Sequence, residues 1–174
     1  MLETVLYNFS SHQTISVNFP MEEAELENLV KDNEIVVDSC EGIKLDSEYT
    51  NPITLNSFLS DFEDRIEEIQ ILSQVFLLSR IIEVYLHGEY PIILNFDEST
   101  ANWASASFTS EHDKGLCLFT EDLAILPADL PAEVARNCES YIDWAAIYRD
   151  MECNSQVNEV TFNGNHYLVL GFVD

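Results

Sequence analysis

The sequence predicts an α+β chain built from three small domains in series. Three observations carry that expectation. Both ends hold short alternating apolar runs separated by turn residues, the mark of β-hairpins. The middle places apolar residues at helical spacing. No segment is of low complexity, and no repeat of fixed period runs through the 174 residues. The expected domains are 1–60, a small α+β unit; 61–100, mainly helical; and 101–174, helices followed by a terminal hairpin. No flexible linker marks the boundaries.

Residues 4–9 and 14–19 are β-rich and flank Ser10-Ser11-His12-Gln13, which reads as a hairpin. Pro20 then opens a helix through about Lys31, with Ala24, Leu26, Leu29 and Val30 toward the core. Glu22, Glu23, Glu25 and Glu27 fall mostly outward, and those in the first turn suit the positive end of the helix dipole. Strands are expected at 34–39 and 43–46. Thr54 caps a second helix, whose Leu55, Phe58, Leu59 and Phe62 follow the i, i+3, i+4, i+7 pattern. Its outer face and continuation carry Asp61, Glu63, Asp64, Glu67 and Glu68. The acid-free apolar stretch 69–82 reads as a central helical core that runs to His87 and stops at Gly88.

A short strand is expected at 90–95, and mostly helical structure at 98–107 and 116–126. Pro127 and Pro131 punctuate the chain before a short helix at 132–138. Asp143 caps a helix at 144–152 with Trp144, Ile147, Tyr148 and Met151 on one face. The chain closes in a hairpin, 157–162 and 165–172, turned by Asn163-Gly164, the strongest short hairpin signal.

The charge is extreme: 32 Asp and Glu against seven Lys and Arg, a net −25. Between residues 22 and 48 alone, ten acids meet two lysines. Such a chain is repelled by nucleic acid, whose binding needs cations to displace counterions, and by anionic membranes. It is not a disordered acidic tail, because 47% of its residues are hydrophobic and 10 Phe, 7 Tyr and 2 Trp are among them. The N-terminus lacks a basic region followed by an apolar run, so no signal peptide is expected. The stretch 69–86 is interrupted by Gln70, Gln74, Arg80 and Glu83, short of the roughly 20 apolar residues of a membrane span. Cys40, Cys117, Cys138 and Cys153 are scattered without zinc-type C-x2-C spacing, and read as free thiols in a cytoplasm.

No catalytic, cofactor or metal-binding pattern stands out in the sequence. The four histidines, His12, His87, His112 and His166, show no metal or triad spacing. Ser107 and Ser110 lie near His112 without a nucleophile-elbow pattern. Five glycines leave no phosphate-cradling loop. Neither 95–100 nor 110–115 completes a calcium loop. With 32 carboxylates, a close pair of acids carries no information about glycoside hydrolysis. The expectation is a protein that is not an enzyme and uses no cofactor or metal.

What remains is the charge itself. A solvated acidic skin confers solubility, but at −25 self-repulsion is large. Two carboxylates about 10 Å apart in water repel by about 0.4 kcal/mol before screening. Crowded carboxyls are expected to titrate high, so that stability falls as pH rises through that range. Halophilic adaptation is a second explanation, against which the 47% hydrophobic content counts. The third is that the negative array is itself the ligand. Duplex DNA carries one charge per about 1.7 Å of axis, so this net charge matches about 42 Å of duplex. A stiff protein with carboxylates at phosphate-like spacing fills the basic groove of a DNA-binding enzyme.

The stretch LPADLPAEVARNCESYIDWAAIYRDME, 126–152, carries Leu126-Pro127, then Tyr141-Ile142-Asp143, then Arg149-Asp150. It resembles the most characteristic segment of the ArdA family of antirestriction proteins. The N-terminal third is similar too: Tyr7-Asn8 before a strand, FPMEEAELENLV at 19–30, acids around 38–48, and SEYTNPITLNSFLSDFE at 47–63. The middle, 69–110, is similar in character rather than in motif. The chain departs from the family's usual hairpin glycines and second-strand Trp, with Ser10-Ser11 and Val17 in their place.

The resemblance implies a protein made by a mobile genetic element entering a bacterium and acting in the host cytoplasm. It implies three small domains in a curved, elongated homodimer whose acids mimic bent B-form DNA. The implied partner is the methyltransferase core of type I restriction–modification enzymes, blocked by occupancy. For the mimic surface the expected residues are Glu22, Glu23, Glu25, Glu27, Asp61, Glu63, Asp64, Glu67 and Glu68, then the loop acids Asp38, Glu41, Asp46 and Glu48. Tyr141, Ile142, Asp143, Arg149 and Asp150 are expected to serve folding or dimerisation. Two alternatives keep the charge and change the target. One is a DNA mimic directed at another defence nuclease such as a CRISPR effector; the other is an acidic adaptor that binds a basic protein partner.

Overall fold

Alternating burial sets the first hairpin. In β1 (Leu2–Asn8), Leu2, Thr4, Leu6 and Asn8 point inward, and β2 (Gln13–Phe19) pairs with it antiparallel, Leu2 opposite Phe19. The turn works without glycine. Asn8 Oδ1 accepts from the amides of Ser10 (2.9 Å) and Ser11 (3.1 Å), and His12 takes the left-handed conformation at φ 55°. β3 (Ile35–Cys40) pairs with the other edge of β1, giving an antiparallel sheet of order β2-β1-β3 with an irregularity at Val5/Leu6. The computed structural model describes residues 1–31, 34–46, 51–95, 111–120 and 142–170. The expected helices at 98–107 and 132–138, the 121–126 part of another, strand residues 171–172, and the site residues Glu48 and Tyr141 lie outside those residues.

The described fold is α+β, with two small antiparallel sheets and six helices. The chain divides into two compact units, Met1–Tyr90 and Pro91–Asp174. The first unit spans the expected 1–60 domain together with most of the expected central one.

Within it, α1 (Glu23–Val30) starts later than Pro20, because Glu22 keeps an extended backbone. Only Leu26 is fully buried, Leu29 and Val30 are half-buried, and Ala24 is exposed rather than core-facing. At about 100° per residue, Ala24 stands about 160° away from Leu26. α2 (Pro52–Asp61) is capped by Asn51, not Thr54: Asn51 Oδ1 accepts from Ile53 N (2.9 Å) and Thr54 N (3.3 Å), with Pro52 at the first helical position. Its Leu55, Phe58 and Leu59 are buried as the spacing predicts.

The expected central helical core is broken into pieces. A 3₁₀ turn (Glu63–Arg65) leads into α3 (Ile66–Leu72), and α4 (Leu78–His87) follows after a gap. Gly88 closes α4 in the left-handed conformation, φ 73°. The expected strand at 43–46 reduces to one isolated bridge, Cys40 to Ile43. Groups on and beside α3 and α4 bind that segment instead. Gln70 Nε2 donates to Glu41 O (2.9 Å), Ser73 Oγ accepts from Lys44 N (2.6 Å), and Asp46 Oδ2 accepts from Ser79 N (2.8 Å) at the start of α4.

The second unit holds β4 (Ile92–Asn95), α5 (Glu111–Thr120), α6 (Trp144–Cys153), β5 (Val157–Phe162) and β6 (Asn165–Leu170). Its sheet is antiparallel in the order β4-β6-β5. Asn163 (φ 51°) and Gly164 (φ 82°) form the expected hairpin turn. Asp143 caps α6 through Ala146 N (3.0 Å), also as expected. Leu118, Tyr148, Val157, Leu168 and Leu170 make the core, with Leu94 and Met151 against it.

Gly115 sets how closely α5 meets α6. A Cβ there would stand 2.2 Å from the carbonyl oxygen of Trp144. Gly115→Ala gains about 1 kcal/mol of helix propensity but overpacks a backbone contact, which costs about 1–3 kcal/mol. Because the obstacle is backbone, the steric cost wins. We expect Gly115→Ala to lower stability by about 1 kcal/mol in urea denaturation.

Candidate partner-binding surface

The acids of α1 lie around a short helix that buries little else than Leu26. Glu22, Glu23, Glu25 and Glu27 are all exposed. Glu23 and Glu27 stand one turn apart, a like-charge spacing that costs a helix about 0.2–0.5 kcal/mol. α1 packs on α2, and α2 ends at Asp61 just before Glu63. Between the two helices lies an open cleft of about 680 Å³. Glu22, Glu23, Glu25, Glu27, Asp61 and Glu63 all line it, with no Lys, Arg or His among the lining residues. Two acidic segments more than thirty positions apart therefore share one surface.

The other expected partner acids divide into two kinds. Asp38, Asp64 and Glu67 are exposed, and among the described residues no Lys or Arg pairs with them or with the six cleft acids. Glu41, Asp46 and Glu68 have work within the fold. Glu41 is exposed but accepts from Glu3 N (3.3 Å). Asp46 is half-buried and caps α4. Glu68 accepts from Arg65 Nη1 and from the Tyr85 hydroxyl, both at 3.1 Å.

In the second unit, the family-like motif lies on and before α6. Ile142 is half-buried, and Asp143 and Asp150 are exposed. Arg149 is exposed and pairs with Glu111 Oε2 (3.1 Å), tying α6 to α5. Trp144 and Tyr148 are buried packing residues.

Sequence reasoning missed the polar cluster beneath that motif. Glu159 Oε1 on β5 accepts from both Lys114 Nζ on α5 and the Tyr148 hydroxyl on α6. Lys114 Nζ also sits 5.3 Å from the centre of the Tyr148 ring. The three residues come from three elements, so no local spacing announces them. Burial opposes the charged form of Glu159, yet the hydrogen bonds from Lys114 and Tyr148 and the charges of Lys114 and His166 hold its carboxyl below the ordinary range. The expected upward shift of crowded carboxyls does not hold there, because a cation and a donor outweigh the crowd. A matching cluster stands in the first unit, where Arg65 pairs with Glu68 and lies 4.1 Å over the Tyr90 ring.

Comparison with protein-family models, curated proteins and solved structures finds no match. The likeness to the ArdA family rests on the residues quoted above. Among the described residues, no group of three or more His, Cys, Asp or Glu is placed to hold a metal ion, and no helix is long and apolar enough to cross a membrane. Cys40 is buried and Cys153 exposed, both free thiols.

Two tyrosines titrate high. Burial first, then the Glu68 carboxylate, raises Tyr85 well above the ordinary tyrosine range. Burial first, then the hydrogen bond to Glu159, does the same for Tyr148. A raised acid favours the fold while it stays protonated. That stability is therefore complete below the unfolded value of about 10 and falls as pH rises above it. Urea denaturation between pH 8 and 11 is expected to show declining stability, and the Tyr85→Phe/Tyr148→Phe double variant a flatter alkaline limb. A wild-type profile that stays level to pH 11 contradicts this.

Proposed function

We propose that this chain is an antirestriction protein of the ArdA type. It acts as a homodimer in the bacterial cytoplasm and mimics B-form DNA. Its surface carboxylates occupy the DNA-binding groove of a type I restriction–modification enzyme, in the methyltransferase core. Inhibition is by occupancy and calls for no catalytic group, cofactor or metal. One observation carries the reading: Glu22, Glu23, Glu25, Glu27, Asp61 and Glu63 converge on one cleft, and among the described residues none of them forms an ion pair with Lys or Arg. Carboxylates arranged this way raise the local potential and steer a cationic partner. They also cost the fold stability through repulsion, which an external cationic surface relieves.

The Tyr-Ile-Asp and Arg-Asp motif has a structural role in this reading. Asp143 caps α6, and Arg149 pairs with Glu111 on α5.

The deciding experiment is competition between the protein and a DNA duplex for a type I methyltransferase complex. Mutual exclusion is expected, with affinity falling steeply as salt rises. Neutralising the six cleft acids one at a time, Glu to Gln and Asp to Asn, is expected to weaken binding in graded steps of about 0.2–1 kcal/mol each. Simultaneous binding of protein and DNA sinks the mimicry. Exclusion of DNA from a CRISPR effector but not from type I enzymes redirects the target.

A further inference from the structure

The cleft between α1 and α2 is not lined by carboxylates alone. Pro20, Met21 and Ile53 stand among them, with the polar Asn18, Asn56, Ser57 and Ser60. Ile53 stands 40% exposed on the first turn of α2, an apolar side chain facing solvent. The cleft is also held in shape. Asn56 is buried at 4% exposure and clasps the backbone of Met21 twice: Met21 N donates to Oδ1 (2.8 Å), and Nδ2 donates to Met21 O (3.0 Å). Moving the segment before α1 away from α2 breaks both bonds and strands a buried amide, which is costly. The cleft is thus formed before any partner arrives, and less ordering has to accompany binding. Its volume of about 680 Å³ falls within the range of about 300–1,000 Å³ typical of binding clefts.

An array that only imitates phosphates needs charge and nothing else. Apolar side chains such as the exposed Ile53, set among the carboxylates, add a seat for hydrocarbon. Lys and Arg side chains suit such a seat, because their aliphatic stems cover apolar surface while their heads stay polar. We propose that the α1–α2 cleft docks a cationic protein segment in which Lys or Arg alternates with an apolar side chain. The apolar side chain and the stems lie on Met21 and Ile53, and the cationic heads reach the carboxylates of Glu22, Glu25, Glu27 and Glu63. This rests on the reading of the chain as an acidic decoy for a basic protein groove. It adds that part of the affinity comes from contacts that salt does not screen.

The test uses the full chain and two fluorescein-labelled peptides of equal net charge, one alternating Arg with Leu and one of Arg with Ser. The Arg/Leu peptide is expected to bind on the order of tenfold more tightly, as burial of a single Leu allows, and to keep that margin as salt rises. Ile53→Ser is expected to erase the margin while leaving the Arg/Ser peptide unaffected. Glu25→Gln with Glu27→Gln is expected to weaken both peptides and shallow their salt dependence. A methyl NMR titration supplies a second readout, with the Ile53 δ1 and Met21 ε methyls shifting on addition of the Arg/Leu peptide. Equal binding of the two peptides, or methyls that do not move, overturns the proposal. Neither arm involves DNA or a restriction enzyme, so this failure is separate from a failure of the competition experiment.

Discussion

Seven Lys and Arg serve 32 Asp and Glu, so the position of each cation decides which carboxylates stay bare. Among the described residues four are engaged in ion pairs: Arg65 with Glu68, Arg80 with Glu83, Lys114 with Glu159, and Arg149 with Glu111. The first two pairs are local, one turn apart on a helix. The last two join separate elements of the second unit. None of the four reaches the α1 region, where among the described residues no Lys or Arg forms an ion pair with the outward-facing acids. Exposed pairs are individually weak. Their importance here lies in distribution: two serve local helix turns, two join elements of the second unit, and none lines the cleft.

The tyrosines link that distribution to the cores. Tyr85 and Tyr148 are almost fully buried, yet each sends its hydroxyl to a carboxylate that a cation also holds. Burying a phenol requires a partner for its hydroxyl, and an acid at the edge of the core meets that requirement. Tyr85 also meets Phe62 and Tyr90 edge-on, at 5.1 and 5.3 Å between ring centres. Each unit is thereby braced by one aromatic side chain that is apolar in the core and charge-assisted at its tip.

Much of the fold was legible where the signal was local. Asn163-Gly164 turns the last hairpin, Asp143 caps α6, and Gly88 ends α4, because each needs only its immediate neighbours. Legibility failed where distant groups competed. Thr54 looked like a cap because it precedes an apolar run, but Asn51 followed by Pro52 starts the helix three residues earlier. The segment after Cys40 looked like a strand. It gives up pairing because Gln70, Ser73 and Ser79 supply its hydrogen-bond partners from α3 and α4. The apolar stretch 69–82 looked continuous, yet the chain turns between α3 and α4 so that Phe76 and Leu78 also reach the core. For the candidate surface, exposure of the helix acids was readable, whereas Asp46 and Glu68 proved to be occupied by long-range partners.

The sequence by itself determined the sign and size of the charge, its concentration between residues 22 and 68, and the helical setting of most of it. These follow from counting and from the 3.6-residue period. Only the tertiary structure decided that Glu22, Glu23, Glu25 and Glu27 share a cleft with Asp61 and Glu63, and that Met21 and Ile53 stand among them. The reason is the packing of α1 on α2. α1 buries Leu26 and α2 buries Leu55, Phe58 and Leu59, so the packing of the two helices brings two acidic segments together in space, and no pattern along the chain encodes which faces two helices will share.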